Sequence, residues 1–403
     1  MMAQTKSLWR NRDFLIVWGG QSISMFGSRV SYIAWYWWVL EKTNSAAAVA
    51  MIGIATALPS LILGPIAGAC VDRMDRRKVM LWTDLINALL FVGAALLLFL
   101  DILQVWQAYL FAAASATAMA FHRPALQSSI PNLVPEEQLT RANSMYQISR
   151  GVCGIVGLSL GGILVGFIGV APTLWLDAFT FAVAGVSLLL VAIASPRMSR
   201  LGSWRIILQD TASGFRFLFS RKNLFYLVML FALINFLLAP MGVLFSLMSK
   251  DVFHTGSEGF GALNSAISVG VLLGGFLTAF LKKFRKQGLW ILVGLVAVGV
   301  LLTLFGYSTS LTLAMAILAV MGIFVTMINI LESVIFQTRV PNELQGRAFA
   351  AQFAVCDGLQ PLSLGLIGGI LTFVSTPTVL IASGVSIVLA GLAGFAVKGL
   401  KEL

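Results

Sequence analysis

Residues 68–78 read Gly-Ala-Cys-Val-Asp-Arg-Met-Asp-Arg-Arg-Lys. This short polar stretch indicates how the segments before and after it are oriented in a membrane. Six of its last seven residues are charged, whereas charged residues make up only 11% of the whole chain. The stretch separates two apolar runs, at 45–70 and 79–100, each long enough to cross about 30 Å of hydrocarbon as a helix. A connection this short joins two membrane-spanning helices only as an antiparallel pair, and its basic excess predicts a cytoplasmic location.

The composition is that of a membrane protein along the whole chain. Hydrophobic residues make up 59% of the sequence and the mean hydropathy is +0.92. Only 11% of the residues are charged, whereas about 25% are charged in a soluble domain. The net charge of +11 does not indicate nucleic-acid binding, because the basic residues lie in short segments between apolar runs. We therefore expect an all-α membrane protein that does not bind nucleic acid.

Hydropathy and loop charge together predict twelve transmembrane helices. Their ranges are 14–40, 46–70, 79–100, 104–122, 148–169, 172–194, 224–248, 259–281, 288–306, 310–336, 348–374 and 377–398. Of all the lysines and arginines, only Arg29, Lys42 and Lys250 lie outside the segments that this arrangement places in the cytoplasm. Because cytoplasmic segments carry an excess of basic residues, both termini are predicted to be cytoplasmic.

The two halves of the chain resemble each other. Val134-Pro135-Glu136-Glu137 recurs 206 residues later as Val340-Pro341-Asn342-Glu343. We predict an N-terminal six-helix bundle at 1–194 and a C-terminal six-helix bundle at 224–403, with a substrate path between the two repeats. The cytoplasmic connection at 195–223 alternates apolar and charged residues, which indicates an amphipathic helix on the membrane surface.

Several motifs resemble those of the major facilitator superfamily, and the similarity covers the full length. The signature loop is Gly-x-x-x-Asp-Arg-x-x-Arg-Arg at 68–77. Further blocks are Trp18-Gly19-Gly20-Gln21, Phe121-His122 with Pro124-Ala125-Leu126, and Leu133 to Thr140, which are similar to the macrolide-efflux and multidrug-exporter branch. The resemblance implies a monomeric secondary transporter of the bacterial inner membrane, without cofactor, that exports amphipathic small molecules (macrolide-like or other drugs) by proton antiport and alternating access.

The resemblance also assigns a mechanical role to the signature loop. In the superfamily, this loop forms a latch that holds the outward-open state closed on the cytoplasmic side. The matching latch residues here are Gly68, Asp72 and Arg76, with the start of helix 11 as the receiver. An aspartate is favourable at a helix N-terminus because the helix dipole attracts an anion.

Five ionisable residues lie at membrane depth, where each costs roughly 2.5–3.5 kcal/mol on insertion scales. They are Arg29, Asp84, Asp177, Glu332 and Asp357. We predict that some of them carry protons as the substrate site alternates, with Asp177 and Asp357 as the preferred carriers and Arg29 as a mobile counter-charge. The alternative is that they join helices through hydrogen bonds; in addition, Asp84 and Glu332 lie near enough to the interface to pair with loop bases.

Aromatic residues crowd the outer half of helix 1. Trp35 and Trp38 share one face at i, i+3 and are candidates for substrate contact, as is Gln21. An aromatic belt at the membrane interface explains the tryptophans equally well. His122 is interpreted as a turn residue that marks the inner end of helix 4.

No enzyme class fits the sequence. The two histidines, His122 and His254, fall on opposite membrane sides in the predicted topology, and the three cysteines form no pair, so no metal site is expected. There is no nucleophile-and-base motif and no nucleotide-binding glycine loop with its lysine. Two alternatives on the same fold are a siderophore or metabolite exporter and a lysolipid or lipid transporter, so membrane lipid is a possible partner beside the substrate and protons.

Overall fold

The computed structural model describes residues 8–71, 74–192, 215–280, 286–341, 348, 351–352, 354–397 and 399–402. Within these ranges the chain is helical and forms no β-strand, which confirms the all-α prediction. A helix pairs every backbone N–H and C=O within one segment, and hydrocarbon offers these groups no other partner. Asp72 and most of the 195–223 connection lie outside the described ranges; of that connection, 215–220 is helical.

The N-terminal half contains seven helices in the part of the chain that the structure describes. They are α1 (Arg12–Thr43), α2 (Ala46–Val71), α3 (Arg76–Phe99), α4 (Val105–Leu133), α5 (Leu139–Val152), α6 (Leu158–Ile168) and α7 (Val170–Leu189). A π-helical turn at Cys153–Gly157 joins α5 to α6, so the two helices form one rod. The Asn11 side chain caps α1 by accepting a bond from the Phe14 N–H at 3.1 Å.

The C-terminal half contains a second set of helices. They are α8 (Lys222–Leu238), α9 (Met241–Leu247), α10 (Gly256–Phe280), α11 (Gln287–Tyr307), α12 (Leu311–Arg339), α13 (Gln360–Ile370) and α14 (Thr376–Ala396). Pro240 lies between α8 and α9 and interrupts the helix because proline has no backbone N–H to donate. A π-helical turn at Met248–Val252 extends α9.

Nine helices within the described ranges are long and apolar enough to cross a membrane. The remaining predicted spans correspond to α1, α4 and the short apolar helix Ala354–Ile370, which contains α13. The first two have 32 and 29 residues, so they have sufficient length but more polar sequences. Twelve crossings therefore stay a prediction.

The chain divides into two compact units. The first comprises Met1–Asn44 and Ala55–Leu201, and the second comprises Ser45–Ile54 and Gly202–Leu403. In the first unit, α7 packs against both α1 and α3. In the second unit, α11 packs against α14 and α10 against α12. Small residues allow these close approaches: a Cβ on Gly299 would lie 2.7 Å from the Gly384 carbonyl oxygen.

The predicted connection between helices 4 and 5, over 123–147, is wrong. Helix α4 continues to Leu133 and α5 begins at Leu139, so His122 does not mark the end of a helix. Ile130 and Leu133 are buried in an apolar cluster of the first unit, and the Asn11 Nδ2 donates to the Leu133 carbonyl at 2.7 Å. The helix extends because its end is packed, and prolines inside it are tolerated as in other membrane helices.

Candidate functional site

A carboxylate and an imidazole lie side by side inside the first unit. The Asp84 Oδ1 on α3 is 3.1 Å from the His122 Nε2 on α4, and the two side chains are 0% and 4% exposed. Gln21 on α1 donates from its Nε2 to the other carboxylate oxygen at 3.0 Å. The contact between Asp84 and His122 is at ion-pair distance but is not aligned as a hydrogen bond. A carboxylate and imidazole in contact provide a place where one proton can be held.

The structure thus brings together three residues for which the sequence predicts separate roles. Asp84 is a predicted proton carrier and Gln21 a predicted substrate contact, whereas His122 is assigned to a turn. All three are buried. No sequence spacing links them, because they belong to three different helices that meet only in the folded unit.

Asp177 lies in the contact between α7 and α1 and is completely buried. It accepts hydrogen bonds from the Ser31 hydroxyl on α1 and from the Thr180 hydroxyl, at 3.0 Å, on its own helix. A Cβ on Gly27 would lie 2.5 Å from the Asp177 Oδ1, so the absence of a side chain at Gly27 allows α1 to reach the carboxylate. Hydroxyl groups therefore satisfy this carboxylate in a dry helix contact.

The second unit holds two carboxylates in different surroundings. Glu332 on α12 is 7% exposed and accepts a bond from the Gln352 Nε2 at 2.5 Å. Asp357 is exposed and accepts a bond from the Gln360 Nε2 at 3.0 Å. The two carboxylates lie within electrostatic range of each other. Asp357 therefore lies at the surface of the unit, whereas Glu332 is enclosed.

Arg29 lies on α1 and Asp177 packs against α1, but the two side chains form no ion pair. The side chain of Arg29 faces the α5–α6 rod, where a Cβ on Gly157 would lie 2.8 Å from the Arg29 Cβ. The charge of Arg29 interacts with that of Arg150, and Arg123 interacts with both. Three arginines thus gather on the first unit, on α1, α4 and α5.

The described part of the predicted latch makes contacts to backbone carbonyls. Gly68 lies within α2, and Asp72 is outside the described residues. The Arg76 Nη1 donates to the Ser128 carbonyl on α4 at 2.6 Å, and the neighbouring Arg77 donates to the Leu188 carbonyl on α7 at 2.7 Å. These arginines hold the start of α3 to the adjacent helices of the first unit.

The predicted substrate contacts on helix 1 are enclosed. Trp35 and Trp38 share a face and pack edge to face with ring centroids 6.3 Å apart. Their exposed fractions are 6% and 7%, so little of either ring is available to a ligand. The sequence indicates the shared face but not the burial of that face, because consecutive aromatics surround the whole helix.

The sequence profile of the transmembrane secretion effectors, which are transporters of the major facilitator superfamily, matches residues 4–402. The chain belongs to this family. Among curated relatives of this transmembrane secretion effector, "Macrolide efflux protein A" of Streptococcus pyogenes is 27% identical over 359 residues, which is 87% of each chain. "Multidrug efflux pump Tap" of Mycolicibacterium fortuitum is 27% identical over 390 residues, covering 94% of this chain and 93% of the relative.

Solved transporter structures have the same fold as this family member. A bacterial homologue of the iron transporter ferroportin, in an inward-facing state, aligns over 99% of this chain and 100% of its own with a TM-score of 0.76 and 15% identity. The nucleoside transporter NupG aligns over 96% and 98% with a TM-score of 0.73 and 16% identity. Identities this low establish the fold alone.

Membership in a transporter family gives the polar groups inside the helices a functional context. Transporters place ionisable side chains at membrane depth in substrate and ion pathways. This chain has such groups in both units: Asp84, His122, Asp177 and the arginines in the first, and Glu332 and Asp357 in the second.

Proposed function

We propose that this protein exports amphipathic small molecules from the bacterial cytoplasm by proton antiport and alternating access. It acts as a monomer in the inner membrane, crosses that membrane twelve times, and has both termini in the cytoplasm. The names of the efflux relatives support export, and the distribution of basic residues supports the orientation. The coupling ion is inferred from the carboxylates.

The observation that carries the coupling proposal is the environment of Asp177. It is buried, contacts hydroxyl groups and has no cation within ion-pair distance among the described residues. A charged carboxylate in such a place is costly, so a bound proton favours the closed contact between α1 and α7. Water entry during the transport cycle would favour release of that proton, which couples proton movement to conformation.

Asp357 is the corresponding proposed carrier in the second unit. It is exposed and lies within electrostatic range of the buried Glu332. Two neighbouring carboxylates bind a proton more readily than one does, because like charges repel. The pair can therefore take up a proton from the solvent that reaches Asp357.

Purified protein in liposomes with an imposed pH gradient and an internal pH reporter tests the proposal. A macrolide and several lipophilic cations and anions are added in turn, and we expect at least one compound to cause proton movement. Asp177→Asn should abolish that movement because an amide cannot carry the proton. Asp101→Asn is the matched control, since Asp101 is an exposed carboxylate in the turn between α3 and α4.

Two results would contradict the proposal. Proton movement that no compound alters, with folded protein in the vesicles, would exclude antiport of these compounds. Normal movement in both Asp177→Asn and Asp357→Asn would remove these carboxylates from the coupling mechanism.

A further inference from the structure

We propose that Arg29, Arg123 and Arg150 form an anion-binding site on the first unit, and that the exported substrate carries a carboxylate or phosphate group. This inference rests on the proposed transport function and specifies the substrate class. The three arginines lie on α1, α4 and α5, which contact one another. Cationic drugs would be repelled by the same surface.

Contacts between α1 and the α5–α6 rod align two of the arginines. The Ser22 hydroxyl on α1 donates to the Ser149 hydroxyl at 3.0 Å, which holds α5 against α1 one residue before Arg150. Two turns further along, Gly157 leaves room for the Arg29 Cβ at 2.8 Å from where its own Cβ would be. Helix α4 packs against both α1 and α5 and adds Arg123, whose charge interacts with those of the other two.

The positions of Arg123 and Arg150 along their helices show how deep the two residues lie in the membrane. Arg123 lies ten residues before the end of α4 at Leu133, and Arg150 lies eleven residues after the start of α5 at Leu139. At 1.5 Å per residue, these separations are about 15 and about 17 Å along the helices. Each of the two arginines is also 18 residues, about 27 Å, from the other end of its rod, at Val105 and at Ile168. Both therefore lie near the cytoplasmic boundary of a hydrocarbon layer about 30 Å thick, where cytoplasmic water reaches them.

The arginine side chains are accessible, whereas their immediate neighbours are not. All three are exposed, but the adjacent Val30 and His122 are buried, as is Ser149. Arg29 lies 14 residues, about 21 Å, from the end of α1 at Thr43, so exposure of its charge to hydrocarbon would carry a high cost. The surface that these three side chains share is therefore best explained as one that water reaches.

The cluster lacks a negative counter-charge within the described ranges. No carboxylate there lies within ion-pair distance of any of the three arginines. The groups that interact electrostatically with Arg29, other than the two arginines, are Tyr32 and Cys153, and Arg150 contacts the Gln147 amide oxygen at 3.5 Å. Asp84 is buried against His122 and Gln21. An anion from outside the chain would relieve the mutual repulsion of the arginines.

Arginine chemistry indicates which anions fit. The guanidinium group presents a planar fork of N–H donors that matches the two oxygens of a carboxylate or phosphate. Either group could belong to a free small molecule or to a lipid headgroup. The shared feature is an oxyanion that two or three guanidinium groups contact together.

Binding measurements on the full-length protein in neutral detergent test this assignment without a proton gradient. The probes are 1-naphthoate and 1-naphthylmethylammonium, which carry similar ring systems and opposite charges. We expect the carboxylate to bind at least about tenfold more tightly, as a charge-assisted hydrogen bond allows. Lysophosphatidate and monoacylglycerol form the lipid arm, in which only the phosphate compound should bind if the anion is a headgroup.

Variants at two arginines connect the binding to the cluster. Arg150→Gln and Arg123→Gln should each weaken binding of the anionic probe by roughly tenfold, and Arg150→Lys should retain part of the affinity because it keeps the charge. Arg141→Gln is the matched control, since Arg141 is exposed in the first turn of the same helix as Arg150. It should bind the probe like the wild-type protein.

The outcomes distinguish this inference from the proposed function. Equal or tighter binding of the ammonium probe, or unchanged anion binding in Arg150→Gln, would overturn the anion site. Proton-coupled export of cationic drugs that is unaffected by Arg150→Gln would also overturn it while leaving antiport intact. Anion binding that depends on Arg150, without any gradient-driven export, would support the site and contradict the transport proposal.

Discussion

At the scale of single residues, the pair of Asp84 and His122 is the clearest result of folding. Each residue on its own has an ordinary explanation: a carboxylate near the membrane interface pairs with loop bases, and a histidine beside a proline marks a turn. The structure instead places them 3.1 Å apart inside the first unit. Such a polar pair joins two helices in the membrane interior.

We expect Asp84→Asn and His122→Asn each to lower the apparent melting temperature by several degrees, because each leaves a buried partner without its contact. The double variant should lose less than the sum of the two, with a coupling energy of about 0.6–2 kcal/mol, as for other interhelical polar contacts in membranes. Thermal unfolding in detergent is measured for the wild-type protein, the two single variants and the double variant.

His254→Asn serves as the control for the histidine, since His254 is exposed and has a positive φ of 53° that asparagine tolerates. Its melting temperature should match that of the wild-type protein. Strictly additive losses in the double variant would show that Asp84 and His122 act independently.

At the scale of helices, the close approach of α1 to α7 decides whether Asp177 stays dry. A Cβ on Gly27 would lie 2.5 Å from the Asp177 Oδ1 and would also meet the Thr180 hydroxyl. Gly19, on the same helix, has no atom within 4 Å of its Cβ position. Two glycines of one helix therefore differ completely in what a methyl group would do.

Gly27→Ala should separate α1 from α7 and destabilise the protein by about 1–3 kcal/mol, the usual cost of overpacking. Gly19→Ala should be neutral or slightly stabilising, because alanine favours helix more than glycine does. Melting temperatures of the two variants make the comparison. Equal values for both would contradict the packing at Gly27.

The bounds of the helices show what the sequence predicts and what it does not. Apolar runs of membrane length locate most helices to within a few residues, because hydrocarbon demands apolar side chains along the whole span. The extension of α4 to Leu133 is missed since Arg123 and Pro124 both indicate an end. Tertiary contacts at Ile130 and Leu133 override that local signal. The arginine cluster is missed for the same reason, because Arg123 is then assigned to a loop and Arg150 to the first turn of predicted helix 5.

At the scale of the whole molecule, the family and the fold can be predicted from the sequence, whereas the contacts of individual buried residues cannot. Family membership and an all-helical fold follow from hydropathy and the motif at 68–77, which extend over long stretches of chain. The partners of the buried groups depend instead on which helices become neighbours. Asp177 meets Ser31 and Asp84 meets His122, pairings that no local pattern records.

The predicted topology can be measured with single cysteines in a background in which Cys70, Cys153 and Cys356 are replaced by alanine. Asn44 follows α1 and Asp101 follows α3, so both should lie outside the cytoplasm if the N-terminus is cytoplasmic. Arg141, in the first turn of α5, should lie inside because α4 returns the chain across the membrane.

In intact spheroplasts, a membrane-impermeant maleimide should therefore label Asn44→Cys and Asp101→Cys but not Arg141→Cys. Permeabilised cells provide the control, since the reagent should label all three there. The comparison directly tests whether α1 and α4 cross the membrane, which is predicted from their length and from the charge of the flanking segments. If α4 failed to cross, Arg141→Cys would change sides, and if α1 failed to cross, all three sites would change sides. Labelling of Arg141→Cys in intact spheroplasts, or protection of Asn44→Cys, would therefore contradict the twelve-helix arrangement, and with it the placement of the three arginines on a path through the membrane.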